Sequence, residues 1–316
     1  MLSGFLEDRQ KVMETLFHHR ALHASGLTGR GVGLAVVDTG IFHHPDISGR
    51  VVEFLDPAWG SRFCYDNEGH GTSIATVACG NGKASRGRIM GLAPEAHLVG
   101  IKVAGKEGYL SGKHIQEGLE WLLENHWDYG IRVVNMSFSI SRCTCGTCES
   151  EDNVDRILEI VDQLAEEGVI PVVASGRGLM DMDEMGVLAL SPSTLAVGAM
   201  DDRFHKVLEN RWGVSDADHR RMKPDVMAPA SDVPAGGKDG GYFPMLGTSI
   251  GAAIVSGILC QWLQACPELD LRDVRMILAR TGKRLSEIPS RRQGYGLPDP
   301  MAGAAIAHSV ALEEAA

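Results

Sequence analysis

The sequence predicts a three-layer α/β/α protein built on a doubly wound, mainly parallel sheet. Three observations carry that prediction. Short β-branched runs recur along the chain, and longer stretches with apolar residues three and four apart separate them. The short runs are also continuous rather than alternating, as suits strands covered on both faces. They lie at 33–37 (GLAVV), 98–103 (LVGIKV), 131–136 (IRVVNM), 169–174 (VIPVVA) and 195–199 (LAVGA). Between them, Ile115, Leu119, Leu122 and Leu123 share one helical face, with Ser111 as the candidate cap. Val154, Ile157, Leu158, Val161 and Leu164 share another, which should stop at Gly168. Two more helices are expected over 249–263 and 271–279. Residues 1–26 read as an amphipathic helical arm with Phe5, Val12 and Leu16 on its apolar side, and 27–316 as one domain. The stretches 141–152, 176–192 and 201–222 carry no period and read as surface loops.

Composition narrows the function classes. At 316 residues, 44% hydrophobic and 22% charged, the chain can bury a large core and is not disordered. Thirty Lys+Arg against 41 Asp+Glu give a net charge of -11, which argues against a nucleic-acid partner. No apolar run approaches the roughly 20 residues that span a bilayer, so no membrane partner is expected. Glu7, Asp8, Arg9, Lys11 and Glu14 break the first twenty residues, which lack the apolar stretch of a secretory leader; the expected location is cytoplasmic. The odd count of seven cysteines agrees weakly with a reducing compartment. Cys79 and Cys260 fall in apolar helical patterns and read as buried thiols. Cys143, Cys145 and Cys148 leave three readings open: a zinc site lacking a fourth ligand at the usual spacing, a redox pair, or an exposed reduced loop.

Several motifs fail on context. Gly29, Gly31 and Gly33 resemble a dinucleotide loop but precede a strand instead of following one, and Gly80-Asn81-Gly82-Lys83 lacks the phosphate-loop spacing. The pairs His18-His19 and His43-His44 are adjacent rather than four apart, which reads as solvated rather than metal-bound. No H-E-x-x-H occurs.

Asp38-Thr39-Gly40 follows the apolar run LAVV. An aspartic-peptidase reading needs a second such loop to share a proton, and the chain has none. Farther on, Gly69-His70-Gly71-Thr72 precedes a helical run, placing an imidazole at a helix start beside the strand ends. Gly247-Thr248-Ser249 precedes a helix of small residues, so a hydroxyl sits where unpaired N–H groups favour a developing oxyanion. Asp, His and Ser in that order form a specific combination where each alone is weak.

The segments GVGLAVVDTGIFHHPDISGR, GHGTSIATVACG and LGTSIGAAIVSG resemble the three signature segments of the subtilisin-like serine peptidases, the subtilases, and the chain order Asp, His, Ser is the one known from subtilisin. RIMGLAPEAHLVGIKV, VVNMSFS, SPSTLAVGAM, KPDVMAPA and GYGLPDP are similar to further family segments, so the resemblance covers about 27–308 and looks like the compact, intracellular type. It implies a serine endopeptidase acting on peptide or protein substrates through an acyl-enzyme intermediate. Carried over by position, Ser249 is the nucleophile, His70 the general base and Asp38 the carboxylate that holds the imidazole. Ser137, Phe138 and Ser139 match the strand edge that pairs with an extended substrate, with Ala174, Ser175 and Gly176 opposite.

The chain departs from the family at four places. The segment that usually reads A-G-N, whose Asn donates to the oxyanion, here reads Ser175-Gly176-Arg177. Losing that donor costs about a hundred- to a thousand-fold in kcat in subtilisin itself. Arg177 replaces the donor, another group does, or turnover is impaired and the chain is a pseudopeptidase that binds peptides and regulates. Ala253 stands where a Pro is usual, with little expected consequence. Ser139 replaces a Gly, which should narrow the pocket beside the scissile bond. The Cys143–Cys148 loop lies beyond the strand edge, where oxidation or metal loading would gate the cleft. No cofactor is expected for the chemistry. Calcium is common among relatives but unassigned, since no D-x-D-x-D loop occurs and Asp181, Asp183 and Glu184 read equally well as a solvated face.

Overall fold

The computed structural model describes residues 2–105, 108–140, 150–176, 185–201, 213–214 and 222–314. Arg177, the cysteines at 143, 145 and 148, and the acidic residues at 181, 183 and 184 lie outside them. The chain opens with α1 (Leu2–Phe17) and α2 (His19–Ala24), then runs β1 (Gly33–Asp38), β2 (Val51–Leu55), α3 (His70–Cys79) and β3 (His97–Lys102). It continues through α4 (Gly112–Asn125), β4 (Ile131–Met136), α5 (Ser150–Glu166), β5 (Ile170–Ala174), α6 (Val187–Leu190) and β6 (Leu195–Met200). Short strands β7 (Gly213–Val214), β8 (Met222–Lys223), β9 (Val226–Pro229), β10 (Val233–Gly236) and β11 (Tyr242–Met245) lead to α7 (Thr248–Ala265). Helices α8 (Leu271–Thr281), α9 (Ser290–Gln293) and α10 (Pro300–Glu314) complete it.

A seven-stranded sheet forms in the order β2-β3-β1-β4-β5-β6-β9, with every neighbouring pair parallel. After β1 the chain builds leftward to β2 and β3, then crosses to β4 on the right. The sheet's order therefore reverses beside β1, and ligands of doubly wound sheets bind at that crevice, outside the carboxyl ends of the strands. Side chains alternate across the sheet. Leu34 and Val36 of β1 face a core shared with α3, α7, α8 and α10, while Ala35 and Val37 face a second core under α4, α5 and α6. The three-layer architecture is thus as expected.

Each of the five expected strands forms to within one residue of its bounds, because buried runs are self-declaring. The sequence reading missed β2 and β9. Strand β2 is an edge strand with Val52 half exposed, and β9 is four residues ending in Pro. Ser111 caps α4, accepting from the His114 N–H at 3.5 Å. Two expectations need correction. The arm's buried face is Leu6, Met13 and Phe17, one position out of phase with Phe5, Val12 and Leu16; Phe5 is exposed. Met13, Phe17 and Leu22 join the main core cluster, and Arg9 donates to the Ser231 carbonyl at 2.6 Å. Nor are both members of each His pair solvated. His19 and His44 are fully buried; His19 Nε2 meets the Gln10 side-chain amide at 3.2 Å, and His44 lies edge-on to Tyr242 with its Nε2 3.2 Å from the Gly241 carbonyl.

Helix α7 is long and apolar enough to suit a membrane span by composition, yet every residue from Ile250 to Leu263 is buried in the core. Its small residues make that depth attainable. A Cβ at Gly257 would lie 2.6 Å from Leu92 Cβ and 2.8 Å from the Ala78 carbonyl, so glycine lets α7 close against α3. Below the sheet's right edge, Asp225 is buried between two cations. Its Oδ2 accepts from Lys223 Nζ at 2.7 Å and from the Ala196 N–H at 2.8 Å, and its Oδ1 lies 3.3 Å from Arg275 Nε.

Candidate active site

Asp38 is the last residue of β1, at the centre of the sheet, and is 2% exposed. Its Oδ1 accepts from the Thr39 N–H at 2.7 Å and stands 2.7 Å from His70 Nδ1. His70 is the first residue of α3. The chain turns into that helix through Gly69 at φ 94, a left-handed conformation that favours glycine. The glycine after His70 matters for a different reason: a Cβ at Gly71 would meet the Gly40 carbonyl at 2.2 Å and Asp38 Cβ at 3.0 Å. Any side chain there would push the helix start away from the carboxylate. Burial alone would lower the imidazole's pKa. The charge and hydrogen bond of Asp38, with a weaker contribution from Asp66, reverse that and hold it above its ordinary value. The His70 side chain remains 32% exposed.

Ser249 is the second residue of α7, just after Gly247 at φ 117. The N–H groups of Ile250 and Gly251 both donate to the Gly247 carbonyl. Those of Thr248 and Ser249 are left outside the helix's own hydrogen bonds, at its positive end. The Ser249 hydroxyl donates to the Ser137 carbonyl at 3.0 Å, and the single proton of the Ser137 hydroxyl is shared between the Ser249 carbonyl at 3.1 Å and Asn135 Oδ1 at 2.8 Å. Asn135 Nδ2 in turn donates to Ser256 at 3.1 Å. This chain of bonds stitches the end of β4 to the first three turns of α7. Of the expected Asp–His–Ser contacts, the structure forms the first directly; the serine hydroxyl points to Ser137 rather than to the imidazole. Such hydrogen bonds commonly tighten only when substrate is bound.

The expected substrate-binding residues follow two neighbouring strands. Asn135 and Met136 of β4 pair with Val172 and Val173 of β5, which sets 137–139 beside 174–176. Ser137, Ala174 and Ser175 are buried, Phe138 is half-buried and Ser139 is exposed. Gly176 takes φ 88. A Cβ at Gly186 would lie 2.2 Å from Ser139 Oγ and 2.8 Å from the Ile140 carbonyl, so the Ser139 hydroxyl occupies the space over that glycine. Among the described residues no cluster of His, Cys, Asp or Glu could hold a metal ion. Cys79 and Cys260 are buried free thiols, Cys260 held well above the ordinary thiol value by its hydrogen bond with Cys79 and by burial.

One residue escaped the sequence reading. Asp66, four positions before His70, is 6% exposed and gathers donors from both sides of the site. Its Oδ1 accepts from Thr39 Oγ1 at 2.9 Å and the Gly69 N–H at 2.8 Å; its Oδ2 accepts from the Thr72 N–H at 3.0 Å and Thr72 Oγ1 at 2.6 Å. No motif in the sequence marked it, because a lone acid in a loop carries no pattern.

Comparison with known proteins agrees with this frame. The sequence profile of the subtilase family matches residues 29–296, and the chain belongs to that family. It is 31% identical to Serine protease AprX of Bacillus subtilis (strain 168) over 84% of this chain and 64% of that protein. It is likewise 31% identical to Alkaline elastase YaB of Bacillus sp. (strain YaB), over 82% of this chain and 61% of the other, and to Subtilisin Savinase of Lederbergia lenta, over 84% and 88%. The chain thus spans less than two thirds of the length of AprX and of elastase YaB. Among solved structures, S41 Psychrophilic Protease superposes with a TM-score of 0.72 at 26% identity, covering 86% of this chain and 92% of that one.

Proposed function

We propose that the chain is a serine endopeptidase in which Asp38, His70 and Ser249 act as a triad. The observation that carries this reading is the 2.7 Å contact between Asp38 Oδ1 and His70 Nδ1. It commits the Nδ1 proton to the carboxylate and leaves Nε2 with the lone pair a general base needs. Ser249 loses its proton to Nε2 as its Oγ attacks the scissile carbonyl. The imidazolium, stabilised by Asp38, then returns the proton to the leaving amine, and water hydrolyses the acyl-enzyme by the same steps. The Ser249 N–H at the head of α7 donates to the tetrahedral oxyanion.

A peptide bound as an extended strand along 137–139 supplies affinity through its backbone. The Ser137 carbonyl now holding the serine hydroxyl is then an acceptor for substrate, which frees Oγ to turn to His70. Incubation with a serine-directed organophosphonate tests the reading. Mass spectrometry should find one adduct, on the peptide containing Ser249, and no label after His70→Ala. An unlabelled, folded native chain would instead support the peptide-binding pseudopeptidase that the Arg177 substitution suggests.

The Ser139 hydroxyl over Gly186 supports a narrowed pocket for the residue before the scissile bond. Ser139→Gly should therefore raise kcat/KM for peptides with a large aromatic residue there by roughly tenfold, and change small-residue substrates little. Competing hydrolysis of the two peptide classes by both proteins measures it. An unchanged preference would remove Ser139 as a determinant.

A further inference from the structure

We propose that Asp66 is a positioning residue for His70: acting through Thr39 and the head of α3, it fixes the Asp38–His70 pair in register. The proposal rests on reading His70 as the general base. Thr39 is the hub. Its N–H donates to Asp38 Oδ1, its hydroxyl donates to Asp66 Oδ1 at 2.9 Å, and that same hydroxyl accepts from the Gly71 N–H at 2.9 Å. The residue after the acid and the residue after the base are therefore pinned to one oxygen, and Asp66 orients it. The second Asp66 oxygen holds Thr72 by both its N–H and its hydroxyl, and the Gly69 N–H returns to the first. Residues 69, 71 and 72, on either side of His70, thus hang directly or through Thr39 on a single buried carboxylate. Thr72 Oγ1 passes the constraint on by accepting from the Phe42 N–H at 2.9 Å, beyond the turn that follows Asp38.

The charge acts alongside the geometry. The groups facing this corner are Asp38 from β1, Asp66 and Glu68 from the segment before α3, Lys102 from β3 and Lys238 from the β10–β11 turn. Lys102 Nζ donates to the Thr39 carbonyl and lies over the Tyr65 ring at 4.8 Å, on the far side of the Thr39 turn. Lys238 donates to the Asn67 carbonyl, and its stem passes beside Gly69. Of the carboxylates, Asp38 and Asp66 are those that favour the imidazolium. Removing the Asp66 charge should make His70 less basic, whereas removing the Thr39 link should misplace the ring and leave its charge environment intact.

The test uses the full chain with ring-labelled histidine, the His70 signal being assigned by its loss in His70→Ala. Asp66→Asn should lower the NMR pKa of His70 by about half a unit or more, and shift the acid limb of kcat/KM down with it. It should also cut kcat about tenfold or more while changing KM little. Thr39→Val should produce the kcat loss without the pKa shift. A folded Asp66→Asn protein whose His70 titrates as in the native chain overturns the proposal. If Asp66→Asn does not fold, Thr39→Val decides, and a kcat within twofold of native overturns it. A native chain that neither turns over peptide nor labels at Ser249, yet shows the His70 shift on Asp66→Asn, defeats the peptidase reading and leaves the link to His70 standing.

Discussion

Ser249→Ala should abolish peptide hydrolysis, lowering kcat about a million-fold, the scale known from subtilisin itself. The size follows from what one oxygen does in the proposed mechanism: without Oγ no acyl-enzyme forms, and water must attack directly, aided only by the helix-terminal N–H groups and by substrate positioning. His70→Ala should cost a comparable factor, and the double variant little more than either, because the two groups act as a unit. Neither change should disturb the fold. Ser249 gives up one 3.0 Å bond to a carbonyl at the half-exposed head of α7, and the return bond from the Ser137 hydroxyl to the Ser249 main chain persists. Hydrolysis of a peptide library by native and variant protein, with circular dichroism as the check on folding, measures this. Residual turnover within tenfold of native would assign the nucleophile elsewhere.

Asp225→Ala should be the most damaging single change to stability, by roughly 3–5 kcal/mol, with a fall in Tm of several degrees. Lys223 and Asp225 are fully buried at their side chains and Arg275 is nearly so, with Lys223 Nζ and Arg275 Nη2 both donating to the Thr194 carbonyl at 2.8 Å. Deleting the carboxylate removes the buried anion that Lys223 and Arg275 both meet and takes its acceptor from the Ala196 N–H. The native pair makes a signed prediction in acid. Burial pushes the Asp225 pKa up, but Lys223 and then Arg275 overcome it and leave it below the usual 3.8. A carboxyl with a depressed folded pKa contributes its full stability above the unfolded value and loses it as pH falls through the folded one. Chemical unfolding at a series of pH values should show that loss only below about pH 4, and Asp225→Ala should lack it. A variant within 1 kcal/mol of native would mean that water or a rearranged side chain replaces the carboxylate.

Much of the architecture was legible because the sheet is buried on both faces. Runs such as GLAVV and VIPVVA have no polar interruption to blur their bounds. Strand β2 was not, since an edge strand needs only one covered face and VVEFL mixes both kinds of residue. The arm was legible as a helix but not in phase: its buried side is decided by Leu6, Met13 and Phe17 meeting the core, which periodicity in a mixed segment does not fix. At the site, Asp38, His70 and Ser249 stood out through glycine-flanked motifs that resemble a family. Asp66 did not, because a lone acid in a loop has no period and its importance lies in which N–H groups reach it. His44 likewise looked solvated by type; its burial against Tyr242 depends on a hairpin some two hundred residues away.

Asp38, His70 and Ser249 ride on β1, α3 and α7, with Asp38 and His70 in contact beside the point where the sheet reverses its order. The chemistry proposed for them is consequently not portable. No contiguous peptide holds two of the three in working relation, and grafting the groups onto another scaffold would require the middle of this sheet, both helices and the glycines that let them approach. Circular rearrangement, by contrast, should be forgiving wherever a new break falls outside those supports, because the site depends on where these elements stand and not on the order in which the ribosome makes them.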